Sequence, residues 1–528
     1  MLNSLVFGAG CNSTKYYSQK LLAKLISFKH DPCTRQELHN YHGFVLFLLL
    51  VSMHLSIIDK LFLLGALVAR VTATPTSSSG ISVSVNPKVQ FQEVDGFGAS
   101  QAFQRAEDIF GKYGLPAVNQ SLVLDLLYNE NVGAGFTILR NGIGSSNTSS
   151  SNFMNSIEPK NPGGPNAIPE YVWDHYNSGQ FPLAQQAYSR GLHTLYANAW
   201  SAPGYMKTNN DENNGGYLCG VANESCASGN WMQAYANYLV QYARFYKESG
   251  VRVTHLGFLN EPQFAATYAG MLSNGTQAAE FIRVLAKTVK KSGLDVKITC
   301  CDGIGWDDQE AMMAGLEAGP DPAINYLDVV TGHGYDSAPT YPLSTNKKTW
   351  QSEWADLSGG FTPYDFYKNG GPGEGLTWAN HIQVALRDAG VSGFLYWIGA
   401  ENSTTNSGLI NLINNEVIPS KRFWSFAQFS RFVRPGARRI EAASTHANLT
   451  VSSFENKDGR LATQLINQGD STIEASVRIT GLKSGVQVRP YITNNDYDLE
   501  PLKAVLSKNG GIFQANVPAR SMVTYVSV

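Results

Sequence analysis

Charge is the first thing this sequence has little of. Of its 528 residues only 16% are charged, and the formal net charge is -2. No run of lysine and arginine supplies the basic footprint that a nucleic-acid partner needs. Cysteine is scarce as well, with six residues, none spaced with histidine as a zinc site requires. No glycine-rich phosphate loop follows a strand, since GFGAS (96–100) lacks that pattern. The aspartate-rich loops do not match a calcium loop. No metal or other cofactor is therefore expected. Long apolar runs are missing too. Phe44–Met53 and Leu61–Ala69 are apolar, but Asp59 and Lys60 split the stretch into pieces too short to span a bilayer. What is plentiful is core material, 43% hydrophobic and 11% aromatic. That suits one large globular domain plus a smaller one.

Residues 1–52 read unlike the remainder and are treated as an N-terminal extension. From Met53, MHLSIIDKLFLLGALVARVTA has a short polar start, an apolar middle and small residues at Val71-Thr72-Ala73. This predicts a secretory signal over 53–73, cleaved after Ala73, with a membrane anchor over Phe44–Ala69 as the alternative. Sequons at Asn119, Asn147, Asn223, Asn274, Asn402 and Asn448 fit a secreted, extracellular glycoprotein. Cys219 and Cys226 close a short loop and read as a surface disulfide, or else as two free thiols. Cys300 and Cys301 are adjacent. Neighbouring cysteines seldom bridge, so both are expected as buried small hydrophobes.

Periodicity supplies the architecture. Residues 74–94 hold a flexible lead-in and two alternating stretches, Ile81–Asn86 and Val89–Val94. From Asp95 strand-like and helix-like segments alternate. The strands are expected within 95–100, 135–144, 193–204, 255–262, 296–303, 328–336, 349–354 and 392–401. Trp231–Gly250, Thr276–Gly293 and Trp378–Gly390 carry helical apolar stripes. Eight such strands predict an α/β chain with a (β/α)8 barrel over 95–437. Beyond Arg438 the period becomes two, which predicts a β-sandwich over 438–528, joined by the strands of 81–94. No exposed aromatic row stands out in it, which favours a buttress over a sugar-binding module.

Barrel enzymes place their chemistry at the C-terminal ends of the strands. HLGFLNEPQ (255–263) reaches Glu261 at strand four, and TWQSEWADLSG (349–359) reaches Glu353 at strand seven. Two carboxylates facing one cleft can break a glycosidic bond. Asn260 is placed to hydrogen-bond a sugar 2-hydroxyl. Arg140 is a candidate to hold Glu353 ionised, with a structural ion pair as the alternative. Trp200 and Trp397 can stack on sugar faces or pack the barrel top. Tyr335 can donate to Glu353, and His333 joins it at the end of strand six, with core packing as its alternative. Arg105, just after strand one, can grip a carboxylate bidentately or pair with Glu107, Asp108 or another nearby acid. Asp302, Asp336, Asp356 and Glu401 read as loop caps or as partners orienting the cleft.

The motifs DGFGASQAFQRAEDIFG, LRNGIGSS, AWSAPGYMKTN, FLNEPQ, ITCCDG, TGHGYD and SEWAD resemble those of fungal members of glycoside hydrolase family 30. The likeness spans Asp95–Glu401 and extends into the C-terminal domain. It implies that Glu261 is the general acid/base and Glu353 the nucleophile of a retaining reaction. It also implies that an arginine near Arg105 is associated with glucuronic acid side groups. The expected function is a secreted, monomeric endo-β-1,4-(glucurono)xylanase acting on plant cell-wall polysaccharide. No stable membrane association is expected. An endo-β-1,6-galactanase and a catalytically silent carbohydrate-binding protein are the alternatives.

Overall fold

The computed structural model describes residues 80–148 and 154–528; the extension and the signal expected over 53–73 lie outside the described residues. After β1 (Ser82–Glu93) come eight strands: β2 (Gly96–Ser100), β3 (Ile138–Ile143), β4 (Thr194–Ala199), β5 (His255–Gly257), β6 (Lys297–Gly303), β7 (Val329–His333), β8 (Lys348–Glu353) and β9 (Gly393–Glu401). Each pairs in parallel with the next, and β9 pairs back with β2, which closes the barrel. Closure leaves Gly98 no room for a side chain, since a Cβ there would meet Ile138 O at 1.8 Å. Helices cover the outside. Met232–Glu248 buries Tyr235, Tyr238, Leu239, Tyr242 and Tyr246 along one face. Gly275–Ser292 starts at a capping box between Asn274 and Gln277 and stops at Gly293, whose φ of 68° is left-handed.

The pleat arranges the barrel interior in layers, because alternate residues of a strand share a face. Ile138, Tyr196, Val329, Trp350 and Leu395 form one buried apolar cluster. Two residues further along their strands stand Arg140, Asn198, Thr331, Ser352 and Trp397. The floor is apolar and the layer above it is polar, so the charged side chains gather at the C-terminal end.

The remaining strands are β10 (Gly408–Ile413), β11 (Glu416–Pro419), β12 (Arg438–Ser444), β13 (Leu449–Glu455), β14 (Leu461–Asn467), β15 (Ile473–Ile479), β16 (Gln487–Thr493), β17 (Glu500–Pro501), β18 (Val505–Leu506), β19 (Ile512–Val517) and β20 (Ser521–Ser527). β10 and β11 extend the barrel sheet from β9. The second sheet runs β17-β16-β20-β14-β13-β12-β1-β15-β19. It folds over so that Phe513 of β19 meets Tyr525 of β20, ring centroids 5.3 Å apart. The two expected stretches of 81–94 are one strand, β1, whose register slips between Asn86 and Gln90 and again before Glu93. Pro87 lies in the first slip and has no N–H to give a ladder. The helix Lys421–Ser430 joins the two parts: Gln428 donates to Tyr491 O at 3.0 Å and Thr493 Oγ1 at 2.9 Å. Among the described residues no helix is long and apolar enough to cross a membrane.

Candidate active site

Glu353 is the last residue of β8. Glu261 lies past the end of β5, in a turn where its φ is 47°, and Asp302 of β6 has a φ of 53°. Left-handed backbone is unfavourable for residues with a Cβ and tends to persist where surrounding structure enforces it. Here the two are tied together, because Glu261 N–H donates to Asp302 O at 2.8 Å. One oxygen from each glutamate and a ring nitrogen of His333 lie within 4.8 Å of one another.

Beneath them sits a buried charge cluster. Arg140 donates from Nη1 to Glu353 Oε2 in direct contact. From Nη2 it donates to Asn260 Oδ1 at 2.6 Å and Asp302 Oδ2 at 2.8 Å. Asp302 also accepts from Tyr196 OH at 2.7 Å, Asn198 Nδ2 at 2.6 Å and Ser352 Oγ. His333 Nδ1 faces Glu261 Oε1 at 3.1 Å, while its Nε2 is 3.8 Å from Asp302 Oδ1 and 3.9 Å from Glu353 Oε2. Tyr335 OH donates to Glu353 Oε1 at 2.9 Å.

Burial alone would raise the Asp302 carboxyl, but Arg140, His333 and Ser352 hold it far below the carboxylate range. Burial favours neutral His333, yet Glu353, Asp302 and Glu261 outweigh it and raise the imidazole to about 9. Burial also raises the Glu353 carboxyl, helped by Glu261 and opposed by His333 and Arg140. The Tyr335 hydroxyl is pushed well up by burial and by both glutamates, so it remains a donor. Two cations, Arg140 and His333, thus face three carboxylates. The set is neutral when one proton is held between Glu261 and Glu353. Glu261, His333 and Glu353 are close enough to be considered as cation ligands. Arg140 already stands against Glu353, Tyr335 donates to it, and His333 bonds Glu261. A metal ion would have to displace those donors and sit beside a guanidinium, so the donor set does not fit one.

Above the glutamates opens a cavity of about 480 Å3, walled by Phe103, Trp200, Phe264, Tyr268, Leu357 and Trp397. A second cavity of about 1110 Å3 adjoins it through Phe103 and Arg105 and is polar, with Gln104, Glu401, Asn402, Ser403 and Thr405. Phe103, Phe264, Tyr268 and Leu357 stand in loops, where no periodic pattern marked them in the sequence.

Residues 80–317 match the O-glycosyl hydrolase family 30 profile, and 436–525 match the family 30 beta sandwich domain. The catalytic domain of the GH30 xylanase C from Talaromyces cellulolyticus is 41% identical over 85% of this chain and all of its own, with a TM-score of 0.77. The chain belongs to glycoside hydrolase family 30. It is a glycoside hydrolase with a (β/α)8 barrel and a β-sandwich. More distant relatives include the glucuronoxylanase XynC of Bacillus subtilis, 23% identical over 63% of this chain and 73% of its own. An endo-1,6-beta-D-glucanase of Aspergillus fumigatus is 23% identical over 75% of this chain and 77% of its own.

Seen in this family 30 site, several sequence expectations need correction. Arg140 stands against Glu353 as expected, but neither it nor His333 is placed as a sugar-binding residue of the cleft, since both are 0% exposed. They touch the carboxylates from below and have no surface to offer a sugar. Trp200 is 2% exposed and presents its face to Arg140, 4.3 Å from the ring centroid, so it packs rather than stacks on substrate. Trp397 is half-buried in the cavity wall. Of the two readings given for Asp302 the partner that orients the cleft is the one seen, since it is the acceptor on which the cluster converges. Arg105 pairs with neither Glu107 nor Asp108. Its Nε meets Glu401 Oε2 at 3.3 Å and its Nη1 donates to Phe103 O at 2.8 Å. Cys300 and Cys301 are buried as expected but are bonded to each other. The peptide between them is cis and sets their Cα atoms 3.0 Å apart. Cys219 and Cys226 are joined, with Cα atoms 5.4 Å apart. Asn147, Asn223, Asn274, Asn402 and Asn448 are exposed. Asn119 is half-buried and donates to Asn415 O at 2.6 Å.

Proposed function

We propose that this family 30 enzyme is a secreted, retaining endo-β-1,4-xylanase that works by double displacement on plant cell-wall xylan. The observation that carries the mechanism is the approach of Glu261 and Glu353, whose nearest oxygens lie within 4.8 Å. Retaining glycosidases hold their carboxyl groups about 5–5.5 Å apart, whereas inverting ones leave about 6.5–9.5 Å for a water. Arg140 and Tyr335 both donate to Glu353, contacts that suit it to the nucleophile's role and leave Glu261 as the acid. Glu353 attacks the anomeric carbon as Glu261 protonates the leaving oxygen, giving a glycosyl ester. Glu261 then takes a proton from the water that cleaves that ester. Asn260 spends its oxygen on Arg140 and keeps its NH2 for the sugar 2-hydroxyl.

The substrate reading rests on the 41% identity to a xylanase and on the aromatic cavity above the glutamates. Glu401 offsets the charge that Arg105 would otherwise turn toward a uronate, so linear xylan is the expected substrate and a glucuronic acid branch is not required. The exposed sequons support a glycoprotein. Secretion is tested by the N-terminus of protein recovered from culture fluid, expected at residue 74. Linear xylan, glucuronoxylan, β-1,6-glucan and arabinogalactan should be compared, with proton NMR of the first-formed product. Hydrolysis of β-1,6-linked polymers with both xylans untouched would sink the substrate assignment, and an inverted product would sink the mechanism. Glu261→Gln should lower kcat by about 10²–10⁴ on xylan and far less on an aryl glycoside whose leaving group needs no proton.

A further inference from the structure

A third cavity, with its own chemistry, lies away from the cleft. The loop that precedes β3 (Glu130, Asn131) lies at the N-terminal end of the barrel, opposite the catalytic face. There it lines a cavity of about 480 Å3 together with Arg431, Arg434, Arg460 and Arg489. Two arginines fasten the segment that follows the helix Lys421–Ser430 to the barrel: Arg431 Nε donates to Gly133 O and Arg434 Nη1 to Gly135 O, both at 2.6 Å. Arg434 also meets Glu130 at 3.2 Å, and Arg460 meets Asp458 at 2.6 Å.

The rest of the positive charge is unanswered. Among the described residues the Nη atoms of Arg431 have no hydrogen-bond partner, and exposed Arg489 has no side-chain partner at all. Burial lowers the Arg431 guanidinium to about 10. It lowers that of Arg434 too, where Glu130 opposes the change and Arg460 adds to it. Gathered, partly desolvated like charges are a cost in the empty cavity that an anion offsets. Guanidinium forks match a carboxylate bidentately. On the same wall Phe432 and Tyr491 pack with ring centroids 4.5 Å apart, giving a sugar ring an apolar face.

We infer that this cavity is a second polysaccharide-binding site, which takes the carboxylate of a uronic acid carried on the polymer. The inference rests on the reading of the substrate as plant polysaccharide, and it separates the acidic branch from the neutral backbone held in the cleft. The test is calorimetric titration of the full chain carrying Glu353→Gln, so that nothing is cleaved. Three probes are used: a xylo-oligosaccharide bearing one glucuronic acid, the same oligosaccharide without it, and inorganic phosphate. Two sites are expected for the acidic oligosaccharide and one for the neutral. Arg489→Glu should weaken the second site by about tenfold or more. On the wild-type background the same change should leave kcat/KM on an aryl xyloside unaltered. Arg431→Lys, which keeps the charge and loses the fork, should weaken it less. One site for both oligosaccharides overturns the inference. So do two sites indifferent to Arg489→Glu, and phosphate binding without acidic-oligosaccharide binding. Failure of the cleft reading looks different, because the neutral oligosaccharide would then neither bind nor be hydrolysed.

Discussion

Changing His333 to glutamine removes one positive charge from the middle of the cluster and keeps an amide that can donate to Glu261. The charged groups facing the imidazole are Glu261, Asp302 and Glu353, with Arg140 beyond them and Tyr335 alongside. The folded ring is raised to about 9, against about 6.5 in an unfolded chain. The stabilisation from this proton is therefore complete below about pH 6.5 and is lost as pH rises through about 9. At about 1.4 kcal/mol per pKa unit, the amount is on the order of 3 kcal/mol. The gap in Tm between wild type and His333→Gln should shrink over that window. Activity moves as well. The imidazole Nε2 is 3.9 Å from Glu353 Oε2, and a unit charge near 4 Å is worth about 4 kcal/mol at an effective dielectric of about 20, an upper limit. A third of that shifts the ionisation of Glu353 up by about one pKa unit. The acid limb of kcat/KM on an aryl xyloside should move to higher pH by at least that much. Superimposable pH–rate profiles, with a Tm gap that does not change with pH, would show that His333 is not a buried cation.

Tyr335→Phe removes the O–H that reaches Glu353 at 2.9 Å; kcat/KM should fall about tenfold to hundredfold in steady-state assays, with the fold unchanged by circular dichroism. Replacing both Cys219 and Cys226 by serine opens a loop with a sequence separation of 7. Thermal or denaturant melts should then show a loss of about 2 kcal/mol, and kcat should stay put because the loop lies outside the cavity walls. Gly98→Ala forces a Cβ to within 1.8 Å of Ile138 O, so soluble, folded protein should be lost where a surface control such as Gly164→Ala expresses normally.

The barrel was legible because its strands are short apolar runs separated by helical stripes, and the two glutamates stand where strands four and seven give way to loops. The Arg105 partner was not legible. Sequence distance favoured Glu107 or Asp108, but β9 closes against β2, so the end of strand eight brings Glu401 to the loop after strand one. Asp108 is occupied instead by Asn402 N–H at 3.0 Å. The Cys300–Cys301 bond was missed because it depends on the geometry of one peptide bond, which no residue pattern reports.

The buried cluster left a signal that went unread. Strands of a parallel barrel are covered on both faces and should be apolar almost throughout. Arg140, Asn198, Asp302, His333 and Ser352 break that rule on five different strands, Arg140 at mid-strand and the other four within two residues of the C-terminal end. A lone buried arginine or aspartate would be strongly destabilising. Five polar exceptions at one level of one barrel are tolerable only if they satisfy one another and their charges nearly cancel. Arg140 with Asp302 does this locally. His333 faces Glu261, Glu353 and Asp302, so the balance of the remaining charge passes to the two glutamates. One of these must then hold a proton and the other a negative charge. The division of labour between the two catalytic candidates thus follows from what the barrel interior can bury, and it would be lost if Arg140, Asp302 or His333 alone were made apolar.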